Sequence, residues 1–209
     1  MEIIRMAVGD LFTNCYIIYD KEGKEGIIVD PGGDGKFIVN KVKHLNVKIK
    51  YIVFTHVHFD HILGYHDVKN AFSDAELLVS VNDAPALNDE TKSLMIYSGQ
   101  RFEKIEKYTI VKENDTINFG KYTFKIIETP GHTEGSICLY GNNILISGDT
   151  LFNGSIGRWD FPGGSLKKEV DSITGKLFKL PKETIVYPGH GDHTTIGYEI
   201  ENNDVAAWI

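Results

Sequence analysis

The sequence is poor in cysteine, in long apolar runs and in clustered positive charge, and each shortage excludes something. Only Cys15 and Cys138 occur in 209 residues, each inside an apolar stretch ("NCYIIY" and "SICLY"). Neither belongs to a Cys-x-x-Cys pair, which argues against a cysteine-based zinc site, and buried reduced thiols are favoured over a disulfide. No apolar run approaches the ~18 residues that a membrane-spanning helix needs. The opening "MEIIRMAVGDLFTNCYIIYD" also lacks the basic-then-apolar order of a secretion signal. A cytoplasmic protein with no membrane partner is the expectation.

Lysine and arginine number 22 against 29 aspartates and glutamates, a net charge of −7 with the signs interspersed. Nucleic-acid binding, which rests on basic clusters, is disfavoured. An anionic small molecule is not, because bound cations reverse the local sign. Pro/Ser-rich linkers, low-complexity tracts and short-period repeats are also missing, so one domain over 1–209 is the simplest organisation.

What is present is an alternation of strand and helix patterns. "IIRMAV" (3–8), "CYIIYD" (15–20) and "GIIVD" (26–30) read as strands, the last two joined as a hairpin by "KEGKE". Phe37, Ile38, Val42 and Leu45 recur at helical spacing. "YIVF" (51–54) reads as a strand covered on both faces, followed by a helix at about 61–72 and a strand at 76–81. Residues 82–107 read as a loop with one short helix. Strands resume from "TINFGKYTFKIIETP", turning at Gly120-Lys121, and "SICLYGNNILISGD" forms a hairpin around Gly141-Asn142-Asn143. A helix near 165–179 and a strand at 184–189 complete the body.

Chemistry concentrates where apolar runs end. "THVHFDH" (55–61) places His56, His58, Asp60 and His61 within seven positions after "YIVF". "TPGHTEGS" supplies His132, "LISGDT" Asp149, and "YPGHGDH" His190 and His193. Loops after strands are where such folds carry function. Burying three histidines and an aspartate together is costly without compensation, and a divalent cation supplies it to an imidazole–carboxylate set that suits zinc or iron. Seven candidates, His193 left aside, are too many for one tetrahedral ion and suit two with an open position. His56 and His58, at i and i+2 of an extended segment, point the same way; Asp60 and His61 follow a turn into helix and aim elsewhere. His44 and His66 have polar neighbours in helical stretches and belong on solvated faces.

The motifs "THVHFDH", "GHTEGS", "SGDTLF" and "PGHG", in this order between residues 55 and 191, resemble the signature of the metallo-β-lactamase fold superfamily. The resemblance implies an α/β fold, an αββα four-layer sandwich of two mixed sheets flanked by helices, with metals at one edge. It implies that His56, His58 and His132 hold one metal, that Asp60, His61 and His190 hold the other, and that Asp149 bridges them. Within that superfamily "SIGRWDFPGG" (155–164), "TNCYII" and "DPGG" (30–33) resemble the glyoxalase II-like branch, with its short stand-alone bacterial members and the persulfide dioxygenases.

The function so implied is hydrolysis of a small-molecule thioester, such as an S-2-hydroxyacylglutathione, by a hydroxide bridging two divalent ions. Zinc stands ahead of iron or manganese, and Asp60 doubles as ligand and catalytic orienter of the hydroxide. Full-length glyoxalase II binds glutathione through a C-terminal helical region, whereas 19 residues follow His190 here, so thioester cleavage is expected more firmly than glutathione recognition. The alternative is a mononuclear iron persulfide dioxygenase using His56, His132 and Asp149; a non-catalytic metal-binding module ranks below both.

Supporting roles are expected around the ligands. Asp30 is a candidate acceptor for the second ring N–H of a ligand histidine. Arg158 and Asp160 either position substrate or pair and brace their loop, with bracing favoured. His193 is a further candidate to line the site. Thr133 and Ser136 are expected to close the turn after His132; Phe152, Trp159 and Phe161 either wall off the acyl or thiol group or pack in the core, with core packing favoured.

Overall fold

The structure is a computed structural model that describes residues 1–101 and 103–205. Strands β1 (Glu2–Val8), β2 (Thr13–Tyr19), β3 (Glu25–Val29), β4 (Lys48–Val53), β5 (Glu76–Ser80) and β6 (Thr109–Val111) pair in that order as a six-stranded sheet. Downstream come β7 (Thr116–Phe119), β8 (Tyr122–Glu128), β9 (Ile137–Gly141), β10 (Ile144–Gly148), the hairpin β11 (Leu151–Phe152) and β12 (Ser155–Ile156), β13 (Ile185–Pro188) and β14 (Thr194–Thr195). The second six-stranded sheet runs β14-β13-β10-β9-β8-β7. Helices α1 (Gly35–Leu45), α2 (Phe59–Ile62) and α3 (Tyr65–Ala71) belong to the first half, α4 (Leu166–Gly175) and α5 (Ile196–Asn202) to the second.

Three apolar clusters set the layering. Tyr16, Ile18, Ile27, Val29 and Val53 of the first sheet meet Phe119, Phe124, Ile126, Leu139 and Ile146 of the second. The opposite face of the first sheet, with Ile17, Ile28 and Ile52, packs on Ile38, Val42, Ile62 and Val68 of α1–α3. The opposite face of the second, with Cys138, Leu145 and Val186, packs on Ile173 of α4 and Ile196 of α5. Strands buried on both faces explain the unbroken apolar runs. The architecture is the αββα sandwich of two mixed sheets that the motifs imply.

Turn chemistry sets the hairpins. Asn142 (φ 53°) and Asn143 (φ 63°) both adopt the left-handed region, as the two-residue loop between Gly141 and Ile144 requires. The helix expected over 61–72 is broken into α2 and α3, because Gly64 lies so close to the backbone that a Cβ there would stand 2.8 Å from the carbonyls of Pro31 and Gly33. Phe37, expected on the inner face of α1, is 57% exposed. Residues 82–107 hold two one-turn helices, Ala84–Asn88 and Met95–Tyr97, rather than one. Strand β6 and helix α5 have no counterpart in the sequence reading. Both cysteines are buried and unpaired. Among the described residues no helix is long and apolar enough to cross a membrane.

Strand direction positions the site. β3 and β4 are parallel, as are β10 and β13, and β8 runs with β10 because each is antiparallel to β9. The C-terminal ends of these strands therefore open on common edges.

Candidate metal centre

Each candidate ligand follows the C-terminal end of one of those strands. Thr55 to His61 follow β4, His132 follows β8, Asp149 follows β10 and His190 follows β13. The two sheets are sewn together beneath them: Ile137 N–H donates to Thr55 O at 2.9 Å, and Tyr16 O–H to Pro188 O at 2.6 Å. Residues separated by up to 134 positions thereby converge.

His132 Nδ1 lies 2.6 Å from Arg158 O. A carbonyl only accepts, so Nδ1 carries the proton and Nε2 of the neutral ring is a lone pair. That Nε2 sits 3.2 Å from His56 Nε2 and 2.9 Å from His58 Nδ1. His61 repeats the arrangement, Nδ1 donating to Asp30 Oδ2 at 2.9 Å and Nε2 facing Asp149 Oδ1 at 3.3 Å and Asp60 Oδ2 at 3.5 Å. His190 Nε2 stands 3.2 Å from Asp60 Oδ2 and 3.5 Å from Asp149 Oδ2. Donors bound 2.0–2.1 Å from a tetrahedral ion stand about 3.3 Å from one another. The observed spacings straddle that value.

The atoms also lack any other use. His58 Nε2, His61 Nε2 and Asp149 Oδ1 are three of the four buried side-chain polar atoms without a hydrogen-bond partner among the described residues. An orphaned buried polar atom costs about 1–3 kcal/mol. Three His/Asp groupings have donors close enough to hold an ion: His56–His58–His132, His56–His61–Asp149 and Asp60–His61–His190. The residues present fit divalent metal.

Electrostatics divides the cluster. Burial, then the neighbouring His132, drives His58 down to about 3. Burial likewise lowers His56 and His132, keeping their rings neutral with a lone pair free. Burial also pushes down on His61, but Asp149, Asp60 and Asp30 outweigh it and raise its pKa. For Asp60 and Asp149 burial works upward, yet the adjacent histidines prevail and both carboxyls fall below their usual range. Anionic carboxylates beside lone-pair imidazoles call for positive charge.

Several residues outside the ligand-bearing motifs hold these groups in place. Thr13 Oγ1 donates to Asp60 Oδ2 at 2.8 Å. Asn14 Nδ2 reaches Pro188 O at 2.9 Å and Gly191 O at 2.8 Å, gripping the His190 loop from the other sheet. Buried Asp83 accepts from Val57 N at 3.0 Å, Thr133 Oγ1 at 3.0 Å and Gly135 N at 2.8 Å, tying the His56–His61 loop to the His132 loop. The sequence reading missed all three. "NDAPA" carried one usable signal, an aspartate just beyond a buried strand end.

The remaining candidates divide. Asp30 lies against His61 as described. Arg158 and Asp160 are exposed and joined by two 2.9 Å bonds, with the guanidinium 4.1 Å above the Phe161 ring. His193 is exposed and stacks on Tyr187 at 6.0 Å, away from the cluster, because the chain turns outward after Gly191. The aromatic residues expected in the core are instead beside the ligands. Phe161 meets His58 edge-on at 5.7 Å, Phe152 meets His190 at 6.1 Å, and Trp159 is 41% exposed. Core space under α4 and α5 is already filled by aliphatic residues. Thr133 and Ser136 close their turn through a 2.8 Å hydroxyl contact.

Known proteins are similar to this chain over nearly its whole length. Hydroxyacylglutathione hydrolase GloC of Haemophilus influenzae is 32% identical over 201 residues, 91% of each chain. The BLEG-1 B3 metallo-beta-lactamase structure superposes with a TM-score of 0.90 at 33% identity, over 97% of this chain and 98% of that one. ETHE1 from Myxococcus xanthus gives 0.83 at 28% (99% and 85%), and TTHA1623 in a di-iron-bound form 0.85 at 29% (96% and 98%). The family model described as the Metallo-beta-lactamase superfamily matches residues 8–190, and to that superfamily this chain belongs.

Proposed function

We propose that this chain hydrolyses small-molecule thioesters with two divalent ions, His56, His58 and His132 holding one, Asp60, His61 and His190 the other, and Asp149 between them. The observation that carries the reading is the position of Asp149. Its Oδ1 faces His61 at 3.3 Å while its Oδ2 faces His190 at 3.5 Å and His132 at 3.7 Å, so one carboxylate serves both groups of donors. Seven donors exceed the needs of a single four-coordinate ion, and a shared pair is a hydrolytic arrangement. Bound there, the ions, zinc by preference, supply Lewis acidity and lower the pKa of water from ~15.7 towards ~7.

The protein's own part is orientation. Arg158 O and Asp30 hold Nδ1 of His132 and His61, so both rings turn Nε2 inward. Asp60, held by Thr13, orients the attacking water as well as binding. Water adds its oxygen to the carbonyl carbon and the C–S bond breaks, giving a carboxylic acid and a thiol. With thiols near pKa 8.5, the leaving group needs little acid assistance. The thioester assignment is supported by the likeness to the hydroxyacylglutathione hydrolase GloC and by the "SIGRWDFPGG" stretch.

A second reading, oxygenation of a persulfide at one iron held by His56, His132 and Asp149, is supported by the likeness to ETHE1. Elemental analysis of protein purified without added metal, joined to two assays, separates them. Two ions per chain with thioester cleavage is the expected result. One iron per chain, with oxygen uptake on glutathione persulfide and no thioester cleavage, would overturn it.

A further inference from the structure

Ten large apolar side chains are exposed among the described residues, and five of them sit on three segments tied to the metal centre: Leu11, Phe12, Ile96, Tyr97 and Trp159. The β1–β2 turn carries Leu11 and Phe12, and the next residue, Thr13, donates to Asp60 Oδ2 at 2.8 Å. The segment carrying Ile96 and Tyr97 is anchored where Phe59 N–H donates to Ser93 O at 2.8 Å. Trp159 follows Arg158, whose carbonyl fixes His132. Leu11, Ser98 and Gln100 line one cavity with Asp60, so the first two segments meet beside that ligand. Phe161 continues the apolar surface to His58.

Phe12 is the most telling of these. Its φ of 54° lies in the left-handed region, which is unfavourable for a bulky non-glycine residue, and its ring is 72% exposed. The fold draws no packing from a side chain presented in that way. The guanidinium against Phe161 is already matched, Arg158 being bound twice by Asp160. The charged residue on the β1–β2 turn is an acid, Asp10.

We propose that this mouth selects thioesters by an apolar arm, an alkyl or aryl acyl group of several carbons, rather than by the carboxylates of the thiol. The proposal rests on the thioester reading above. The reaction is unchanged: R–CO–S–R′ and water give R–COOH and HS–R′.

The test uses metal-loaded protein and thioesters of one neutral thiol, N-acetylcysteamine, bearing acetyl, lactoyl, hexanoyl or phenylacetyl groups, with S-lactoylglutathione alongside. Each methylene buried by a half-open apolar surface contributes, so kcat/KM should rise at least about tenfold from acetyl to hexanoyl or phenylacetyl. Phe12→Ser and Trp159→Ser should each compress that ratio, chiefly through KM. A flat acyl series would overturn the proposal. So would S-lactoylglutathione outperforming lactoyl-N-acetylcysteamine by about tenfold or more, since a built polar pocket discriminates more strongly still. Calorimetry with the uncleavable S-hexyl and S-methyl thioethers of the same thiol separates the two layers of the argument. Tighter binding of S-hexyl without turnover of any thioester keeps the apolar mouth and sinks the hydrolase reading. Equal binding sinks the mouth.

Discussion

Asp30 Oδ2 accepts a hydrogen bond from His61 Nδ1 at 2.9 Å, and the same carboxylate accepts from Thr55 N at 2.8 Å and Thr55 Oγ1 at 2.6 Å. Every contact is a donor, and the backbone is held at φ 51° to make them. Asp30→Asn turns an amide N–H₂ towards at least one of those donors and releases the ring of His61. Affinity at the Asp60–His61–His190 group should fall about 10–100-fold, as when other partners of ligand histidines are removed. Chelator competition monitored per ion checks this. An unchanged second dissociation constant would mean that packing alone orients His61.

That bond marks how far the sequence could be read. His56, His58, His132, Asp149 and His190 were legible because each directly follows an apolar strand, so local pattern located it and the parallel register did the rest. Asp30 was legible for the same reason. The roles of Thr13, Asn14 and Asp83 were not, since their partners lie 47, up to 177 and up to 52 positions away and so distant a partner leaves no mark on the local pattern. Helix α5 escaped for a different reason. Glu199 on its inner face is buried, satisfied by Thr194 Oγ1 at 2.6 Å and Asn203 Nδ2 at 2.7 Å, so the apolar periodicity is interrupted where it should be strongest. The break at Gly64 arises from a long-range backbone approach and leaves no mark on helical periodicity.

Asp83 gives a pH-dependent signature. Burial raises its carboxyl from 3.8 to about 6 against the lowering effect of Thr133, Val57 and Gly135. A carboxyl raised in the folded state favours folding when protonated. Its contribution is therefore present below pH 3.8 and lost as pH rises through about 6. Relative to the non-titrating Asp83→Asn, wild-type stability should decline by on the order of 3 kcal/mol across that window. Urea unfolding of both metal-free proteins at pH 4, 5, 6 and 7 measures the difference. A parallel pair of curves would show that Asp83 titrates normally.

The His190 loop is held from the opposite sheet by Asn14. Its Nδ2 serves two carbonyls, and its own N–H donates to Gly189 O at 2.7 Å. Asn14→Ala keeps the backbone bond and strips both side-chain bonds, leaving Pro188 O to Tyr16 alone. A loss of about 1–3 kcal/mol is expected from chemical denaturation. Metal affinity at the His190 group should weaken as well, while the His56–His58–His132 group, anchored elsewhere, keeps its own.

Gly189 tests the crowding of the centre by volume alone. A Cβ there would stand 2.0 Å from Asp149 Oδ1 and 2.8 Å from His61 Cε1. Since its backbone is outside the left-handed region, Gly189→Ala introduces no conformational penalty and acts through that overlap. Asp149 must swing away, so bound metal should drop from two ions per chain towards one or none, with the far-ultraviolet circular dichroism unchanged. Retention of both ions would show that the loop yields before Asp149 does.

Metal should stabilise the wild type and an Asp149 variant unequally, and the contrast isolates what the cation does. In the metal-free chain, Asp149 Oδ1 is a buried acceptor without a hydrogen bond, close to the carboxylate of Asp60 through their shared contact with His190. Asp149→Ala deletes that group together with the partner that keeps His61 charged, so the metal-free variant should melt no higher than metal-free wild type. Metal at about 100 times its dissociation constant stabilises a folded chain by about 2.7 kcal/mol, which for a protein of this size raises the melting temperature by roughly 5–10 °C. Wild type should show that rise on reloading after chelation, and Asp149→Ala should lose most of it. Scanning calorimetry of the four samples decides the point: a variant that gains as much from metal as wild type would mean that Asp149 is not the residue through which the two donor groups are joined.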